Sequence, residues 1–578
     1  MRKIMNKADR FVYELCNGIA MTNPLVTNDE RYKIIRRKDL DPGKVTLISG
    51  GGSGHEPAHA GYVGKGMLDA AVCGDIFASP TQIQVYKAIE ETRSEKGTLL
   101  IIKNYSGDLM NFKNGAALAE EEGIEVKYVV VSDDIAVKDS LYTVGQRGVA
   151  GTVLVHKIAG AAAEEGCSLE EVQKIAAHAA DSVKSIGFAF SSCVVPAKGS
   201  PTFQICDGEM EYGVGIHGEP GIQRETSVTS RELAARMTSQ LLKALNMENK
   251  GEIAILVNGF GGTALQELYV LANDVRRELD QYENLTVYRS FVGNYMTSID
   301  MMGASLTIMK LDESLKHYLD CESCAPAFRV DGPVPVIPFR KTDLTVTEAQ
   351  VFETEDSWKY VGEQVSPENI KYMVAQMGQC IIDHEVPFCT IDSYAGDGDF
   401  GASVAKGFRQ LRNEWLMLKE KDTIEGFLKA CGMIIIEYCG GASGPIWGSA
   451  FMGAGKWAKG KVSLSLDEFG EMMEEVVRSI QRTGEKSFGR GAVVGDKTLI
   501  DALVPYADTL VACGKKQMDI KEAFKEASAA AVKGAKETEK IVARMGRAGV
   551  VGERSLGHPD AGAYALGVIF SWITEALK

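Results

Sequence analysis

The sequence predicts two domains of different class, an α/β domain over residues 1–330 and an all-α domain over residues 356–578, with a proline-rich linker at 331–355. Three observations carry this. Short β-branched runs bounded by Gly, Asn or Asp alternate with helical segments through the first part of the chain. Beyond residue 350 strand-like runs are scarce and apolar residues recur at three- and four-residue spacing. Between the two lies "APAFRVDGPVPVIPFRKT" (325–342), with four prolines and little periodicity, which reads as an extended linker. A chain of 578 residues is also longer than one core usually organises.

In chain order, strands are expected at "KVTLIS" (44–49), "TLLIIK" (98–103), "VKYVVVS" (126–132), "EIAILVN" (252–258) and "ASLTIMKL" (304–311). Helices are expected at "PTQIQVYKAIEETRSE" (80–95) and "NGAALAEEEG" (114–123). The second domain should hold helices at 368–383, 424–438, 466–481, 520–544 and 563–577, with its chemistry in Gly-rich loops between them. In the first domain ligands are expected at the carboxyl ends of the strands.

Bulk properties exclude some partners. A net charge of −15 argues against nucleic acid or an anionic membrane as the main partner. No apolar run approaches the ~18 residues of a membrane span, and "MRKIMNKADRFVYEL" leads into no secretory h-region. Twelve scattered cysteines suit a reducing compartment, so a cytoplasmic location is expected. The one close pair, Cys321 and Cys324 in "CESC", has no second pair at zinc-ligand spacing and reads as structural.

The sharpest chemical signal is "IDSYAGDGDFGASVAKG" (391–407), where Asp392, Asp397 and Asp399 fall within eight residues. Carboxylates this close repel one another unless a cation sits among them. Oxygen ligands on a Gly-rich loop suit Mg²⁺ with substrate phosphates, and a helix starting near Gly401 would aim its amides at an anion. The spacing is not that of an EF-hand, because the twelfth position is Ser403 or Phe408 rather than Glu. In "GGASGPIWGSAFMGAGK" (440–456) backbone amides and the Ser443 hydroxyl can cradle phosphates, although close helix packing also selects glycine. The Gly-Lys strings "GAGKW" and "GKGML" do not fit a Walker-type loop, and the region around residue 50 gives no G-x-G-x-x-G fingerprint. Arg547 and Arg554, in "GRAGVVGERSLGHPDAGA" (546–563), offer charge to polyphosphate or serve as surface ion pairs.

In the first domain two histidines sit in glycine frames, His55 in "GGGSGHEPAHAG" (50–61) and His217 in "YGVGIHGEPG" (212–221). Two unrelated tight turns would give the same strings. Lys103 and Asp108 follow a strand in "IIKNYSGDLMNF" (101–112), where Asp108 is either a turn residue or a general base toward a hydroxyl.

Together these strings, in this order, resemble the ATP-dependent dihydroxyacetone kinases in their single-chain form, over nearly the whole chain. The resemblance implies two α/β subdomains, then a helical barrel that binds ATP and Mg²⁺, as two ions, on Asp392, Asp397 and Asp399. It also implies that His217 holds dihydroxyacetone as a covalent hemiaminal. Gly52, Ser53, Gly54, His55, Lys103 and Asp108 would complete the substrate pocket, with Asp108 or His55 taking the hydroxyl proton. Nucleotide contacts are implied for Phe400, Gly401, Ala402, Ser403, Ala442, Ser443, Leu499, Arg547, Asp560, Ala561 and Gly562. Phe400 stands where many relatives have His or Cys, and Ala561 where the usual motif has proline. Relatives are homodimers in which the substrate domain of one chain faces the nucleotide domain of the other. The family leaves open a kinase for glyceraldehyde or a four-carbon ketose such as erythrulose, an FAD-cyclising lyase, and a non-catalytic ketose sensor.

Overall fold

The computed structural model describes residues 3–137, 145–219, 221–247, 250–341, 351–545, 549 and 552–578. They form two compact units, residues 1–342 and 343–578.

The first unit is α/β and holds two six-stranded sheets. One is built from β1 (Val26–Asp29), β2 (Ile34–Arg37), β3 (Thr46–Ser53), β4 (Ala70–Ile76), β5 (Thr98–Lys103) and β6 (Val126–Val131), in the order β1-β2-β4-β3-β5-β6. Strands β4, β3, β5 and β6 run parallel, and β1 and β2 add an antiparallel edge. Alternation along the strands separates two cores. Ile48, Leu100 and Ile102 pack on Val85, Ile89 and Phe112 of helices Gln82–Glu91 and Ser106–Glu121. Leu47, Leu99 and Ile101 enter a core shared with Ala254, Leu256 and Met309 of the second sheet. Helix Thr152–Glu164 belongs to that core and is buried at every residue from Thr152 to Ala163, so its sequence is mostly apolar, with Thr152, His156 and Lys157 as buried polar exceptions.

The second sheet contains β7 (Val183–Ala189), β8 (Glu209–Tyr212), β9 (Gln223–Thr226), β10 (Gly251–Gly259), β11 (Leu285–Gly293) and β12 (Gly303–Leu311), in the order β11-β10-β12-β7-β8-β9. All five expected strands are present. The expected linker at 331 follows directly on a strand pair, Ser323–Ala325 with Phe328–Val330, which buries Phe328 in the first unit. It ends earlier than its sequence suggests, since Phe352 lies edge-on to Trp415 and packs on the helical core.

The second unit is helical. Helices Pro367–Asp383, Phe400–Asn413, Ile424–Tyr438, Ser443–Trp457, Leu466–Phe488, Ile500–Lys515, Ile520–Glu537 and Ala561–Ala576 pack in sequence, and the last returns to the first, closing a ring. Capping boxes at Ser366 with Asn369 and at Ser465 with Glu468 start two of them. The helix expected over 520–544 stops at Glu537, where a 3₁₀ turn at Thr538–Lys540 follows. Among the described residues no helix is long and apolar enough to cross a membrane.

Candidate active site

In the first unit the carboxyl ends of β3 and β5 converge on a cleft of 580 Å³. Strand β3 ends in Gly50–Ser53, and the chain turns at Gly54 to deliver a fully buried His55. Glycine is required at position 51, where a Cβ would lie 2.6 Å from the Lys103 ammonium that passes over it from the end of β5. Lys103 Nζ donates to Asp108 Oδ2 at 3.2 Å, with both groups buried. Asp108 lies in the first turn of helix Ser106–Glu121, not at the strand end that its sequence context suggests.

The other glycine-framed histidine reaches the same place. His217 Nε2 lies 3.1 Å from His55 Nε2. His55 Nδ1 is 2.8 Å from the Thr297 carbonyl, and His217 Nδ1 is 2.9 Å from Glu219 Oε1. Both partners only accept, so each Nδ1 carries a proton. The Nε2–Nε2 contact is a hydrogen bond while one of the two Nε2 atoms is protonated, and loss of that proton leaves the His217 Nε2 lone pair at the cleft that His217 lines. The His217 ring meets Phe77, Tyr105 and His55 edge-on, with centroids 4.7–5.1 Å away. Gly215 makes the arrangement possible, since a Cβ there would be 2.0 Å from Glu219 Oε2 and 2.6 Å from Arg147 Nη1.

Charge is distributed to match. Burial raises the Glu219 carboxyl, but His217 and Arg147 more than offset it and hold the group down at about 2. Burial, with the cationic neighbourhood of His217 and Lys103, lowers His55 well below its usual value. His55 is therefore a neutral base at neutral pH. Tyr105 is raised by burial and stays protonated, and its hydroxyl has no partner among the described residues. An orphaned buried donor beside the imidazole pair is a ready place for a ligand oxygen.

His59 and His156, behind His55, are also buried and depressed, His156 by burial and Lys103 to about 3. This gives a stability prediction with a definite sign. Below pH 6.5 the unfolded chain protonates three histidines that the folded state keeps neutral. Stability of the first unit should therefore be full above pH 6.5 and fall beneath it, with a limiting slope of about 4 kcal/mol per pH unit. Below pH 6 Asp134, raised to about 6 by burial, offsets one of the three protons. Thermal unfolding followed between pH 7.5 and 5.5 checks this; a flat profile contradicts it.

Of the expected residues, Gly52, Asp108 and His217 line this cleft, while the fully buried Lys103 and His55 lie behind its wall, against Asp108 and His217 respectively. Ser53 and Gly54 are not among its lining residues: the Ser53 hydroxyl donates to Gly74 O and Gly54 N donates to Glu56. Tyr105, Phe77 and Glu219 are functional candidates that sequence reasoning gave no role. The signal for Glu219 was its place two residues after His217 in the same glycine frame.

In the second unit a cleft of 230 Å³ is lined by Asp392, Phe400, Ala442, Ser443, Leu499, Asp560, Ala561 and Gly562, as expected from sequence, together with Lys497 and Thr498. Oxygens of Asp392, Asp397 and Asp399 lie within 4.8 Å of one another, a hard-donor set that fits Mg²⁺. Asp392 ends helix Glu385–Asp392, and its Oδ2 accepts from Gly398 N at 2.9 Å, which fixes the loop. Asp560 is raised by burial to about 7, and the Asp501 and Asp392 carboxylates contribute to the rise. This marks local negative charge in need of a cation. Gly401, Ala402 and Ser403 form the first turn of helix Phe400–Asn413 rather than the cleft wall, and Ser403 Oγ donates to Gly440 O. Arg547 lies outside the described residues, and Arg554 sits in a short 3₁₀ turn, Gly552–Ser555.

Lys497 is the least expected member. Its buried ammonium donates to the carbonyls of Thr538, Ile541, Ser555 and His558. It thereby ties the loop that carries Asp560 to the end of helix Ile520–Glu537. Lys497→Met leaves those carbonyls unsatisfied and should weaken ATP binding at least about tenfold, with ketose binding in the first unit unchanged. Calorimetric titration with each ligand checks the split.

Comparison with known proteins matches residues 17–327 to the Dak1 domain and residues 394–575 to the DAK2 domain. The chain is 34% identical to the L-erythrulose 1-kinase of Mycolicibacterium smegmatis over the whole of both chains. Over 318 residues, 54% of this chain and 95% of the relative, it is 51% identical to the dihydroxyacetone-binding subunit DhaK of a PTS-dependent dihydroxyacetone kinase from Listeria innocua. The native structure of the dihydroxyacetone kinase of C. freundii superposes with a TM-score of 0.60 at 30% identity, covering 99% of each chain. The same enzyme is solved in complex with AMP-PNP and Mg²⁺.

Proposed function

Because the chain belongs to the dihydroxyacetone kinases that fuse Dak1 and Dak2 domains, phosphotransferases acting on an alcohol group, we propose that it phosphorylates dihydroxyacetone with ATP while His217 holds the ketose by a covalent bond. The observation that supports this reading most is His217 in the cleft that Asp108 also lines, its Nε2 3.1 Å from that of the buried His55. The 51% identity of the first unit to a dihydroxyacetone-binding subunit supports dihydroxyacetone as the ketose it takes.

The chemistry follows from the residues. The His217 Nε2 lone pair adds to the ketone carbon, the C=O π bond breaks, and the oxygen takes up a proton from solvent water to become a hydroxyl, so the adduct carries one net proton more than the reactants. The ring keeps its Nδ1 proton and becomes cationic, and the ionised Glu219 carboxylate stabilises that charge. Glycerol has no carbonyl to trap, so selectivity comes with the bond. Asp108, assisted by His55, accepts the proton of the attacking primary hydroxyl. Asp392, Asp397 and Asp399 would hold two Mg²⁺ ions, which supply charge neutralisation and alignment of the transferring phosphoryl group when bound. Backbone amides at Ala442–Ser443 and the first turn after Asp399 would bind phosphate oxygens.

The test is ADP release from Mg-ATP with dihydroxyacetone, glyceraldehyde, erythrulose or FAD. Dihydroxyacetone should give the highest kcat/KM. A faster reaction with erythrulose replaces the triose reading. Absence of ketose-driven ADP release ends the kinase reading, whereas FAD conversion that survives His217→Ala adds a lyase activity of the second unit to it. The homodimer with domains crossing between chains belongs to the same proposal. If it holds, mixing His217→Ala with Asp397→Ala, each inactive alone, restores activity; if the mixture stays inactive, transfer occurs within one chain.

A further inference from the structure

We infer that Glu165, His317 and Cys321 form a surface site for a thiophilic divalent cation, with Zn²⁺ as the matching ion. The "CESC" pair that sequence leaves unexplained divides in the fold. Cys324 lies in the strand Ser323–Ala325, whereas Cys321 caps the C-terminal end of helix Glu313–Asp320. His317 is four residues earlier on that helix, so imidazole and thiol share one face. Glu165, the C-cap of helix Thr152–Glu164, approaches from the other side.

The geometry is already convergent. Glu165 Oε1 lies 2.7 Å from His317 Nε2 and 3.2 Å from Cys321 Sγ, and one donor atom from each residue falls within 4.8 Å of the others. Bonds of about 2.0–2.3 Å from a tetrahedral ion to N, O and S ligands span such a triangle with small side-chain adjustments. Mixed sulfur, nitrogen and oxygen donors favour zinc-type ions over Mg²⁺, which takes oxygen ligands. Binding displaces the thiol proton, and water completes the fourth position. His317 and Glu165 are about half exposed, which leaves an entry path.

The frame is firm beneath them. Lys157 Nζ donates to Tyr318 O at 2.6 Å, and Arg289 pairs with Asp320 at 2.9 Å, so the two nearby cations are directed at other acceptors. None of the three ligands lines the substrate cleft or the nucleotide cleft. The site is therefore independent of the phosphoryl-transfer machinery, and its cation would tie two helix ends of the first unit together.

The test uses the full chain, stripped with chelator, desalted and kept in excess Mg²⁺ to occupy the aspartate loop. One equivalent of Co²⁺ should produce a thiolate-to-cobalt charge-transfer band, and Zn²⁺ should abolish it by displacement. Cys321→Ser should lose the band while keeping wild-type kinase activity, which also reports that the variant is folded. In competition with a chromogenic chelator, His317→Ala and Glu165→Gln should each bind Zn²⁺ at least tenfold more weakly. Asp397→Ala should leave the band and the Zn²⁺ affinity unchanged. No band in the wild type, a band that persists in Cys321→Ser, or one that disappears in Asp397→Ala overturns the assignment.

Discussion

His217→Ala should lower kcat/KM for dihydroxyacetone about 10³-fold or more, because it removes both the bond that holds the ketose and the alignment that bond provides. The loss should be specific. Gly215, Glu219 and the rings of Phe77 and Tyr105 exist around this imidazole, and none of them replaces its Nε2 lone pair. Intact-mass measurement under mild conditions should show one ketose added to the wild type and none to His217→Ala. ATP binding to the second unit should be equal in the two proteins. A variant that retains near wild-type kcat/KM would show that the ketose is held by hydrogen bonds alone, and the covalent part of the proposal would then be wrong.

Asp397→Ala is the complementary experiment. Removing one carboxylate from a three-carboxylate set should weaken Mg-ATP binding and reduce turnover about 10³-fold, since catalysis of phosphoryl transfer rests on positioning and charge neutralisation. Asp397 is a better choice than Asp392, which also receives the Gly398 and Phe400 amides, so that its loss would disturb the loop itself. The mass adduct at His217 should survive Asp397→Ala in full. Each variant should thus remove one half of the reaction and leave the other intact, and raising Mg²⁺ should restore part of the activity only in the aspartate variant.

How much of this was legible depended on where each signal lies. Strands β3, β5, β6, β10 and β12 were readable because β-branched runs face packed cores on both sides. Strand β4, "AAVCGDI", was not, because Ala, Gly and Asp carry little strand preference and the strand is held by pairing to β2 and β3. The four-residue strands β1, β2, β8 and β9 are too short for a period to show. The all-helical class of the second unit was legible from its spacing, since each helix turns one apolar face inward; its closure into a ring was implied only by the family resemblance. In the candidate site His55, His217, Lys103 and Asp108 stood out because glycine frames or strand ends present them. Tyr105 and Lys497 did not: an orphaned hydroxyl and an ammonium shared by four carbonyls exist only once distant segments meet.

The contacts of His55 have a consequence in time. Its two ring nitrogens reach partners 242 and 162 residues further along the chain. At about 5–20 residues per second of synthesis, the glycine-rich end of β3 waits tens of seconds for Thr297 to emerge. The ring of helices instead joins each segment to its chain neighbours, the kind of topology that folds fast. On dilution from denaturant, helical ellipticity should therefore return before the capacity to take up a ketose.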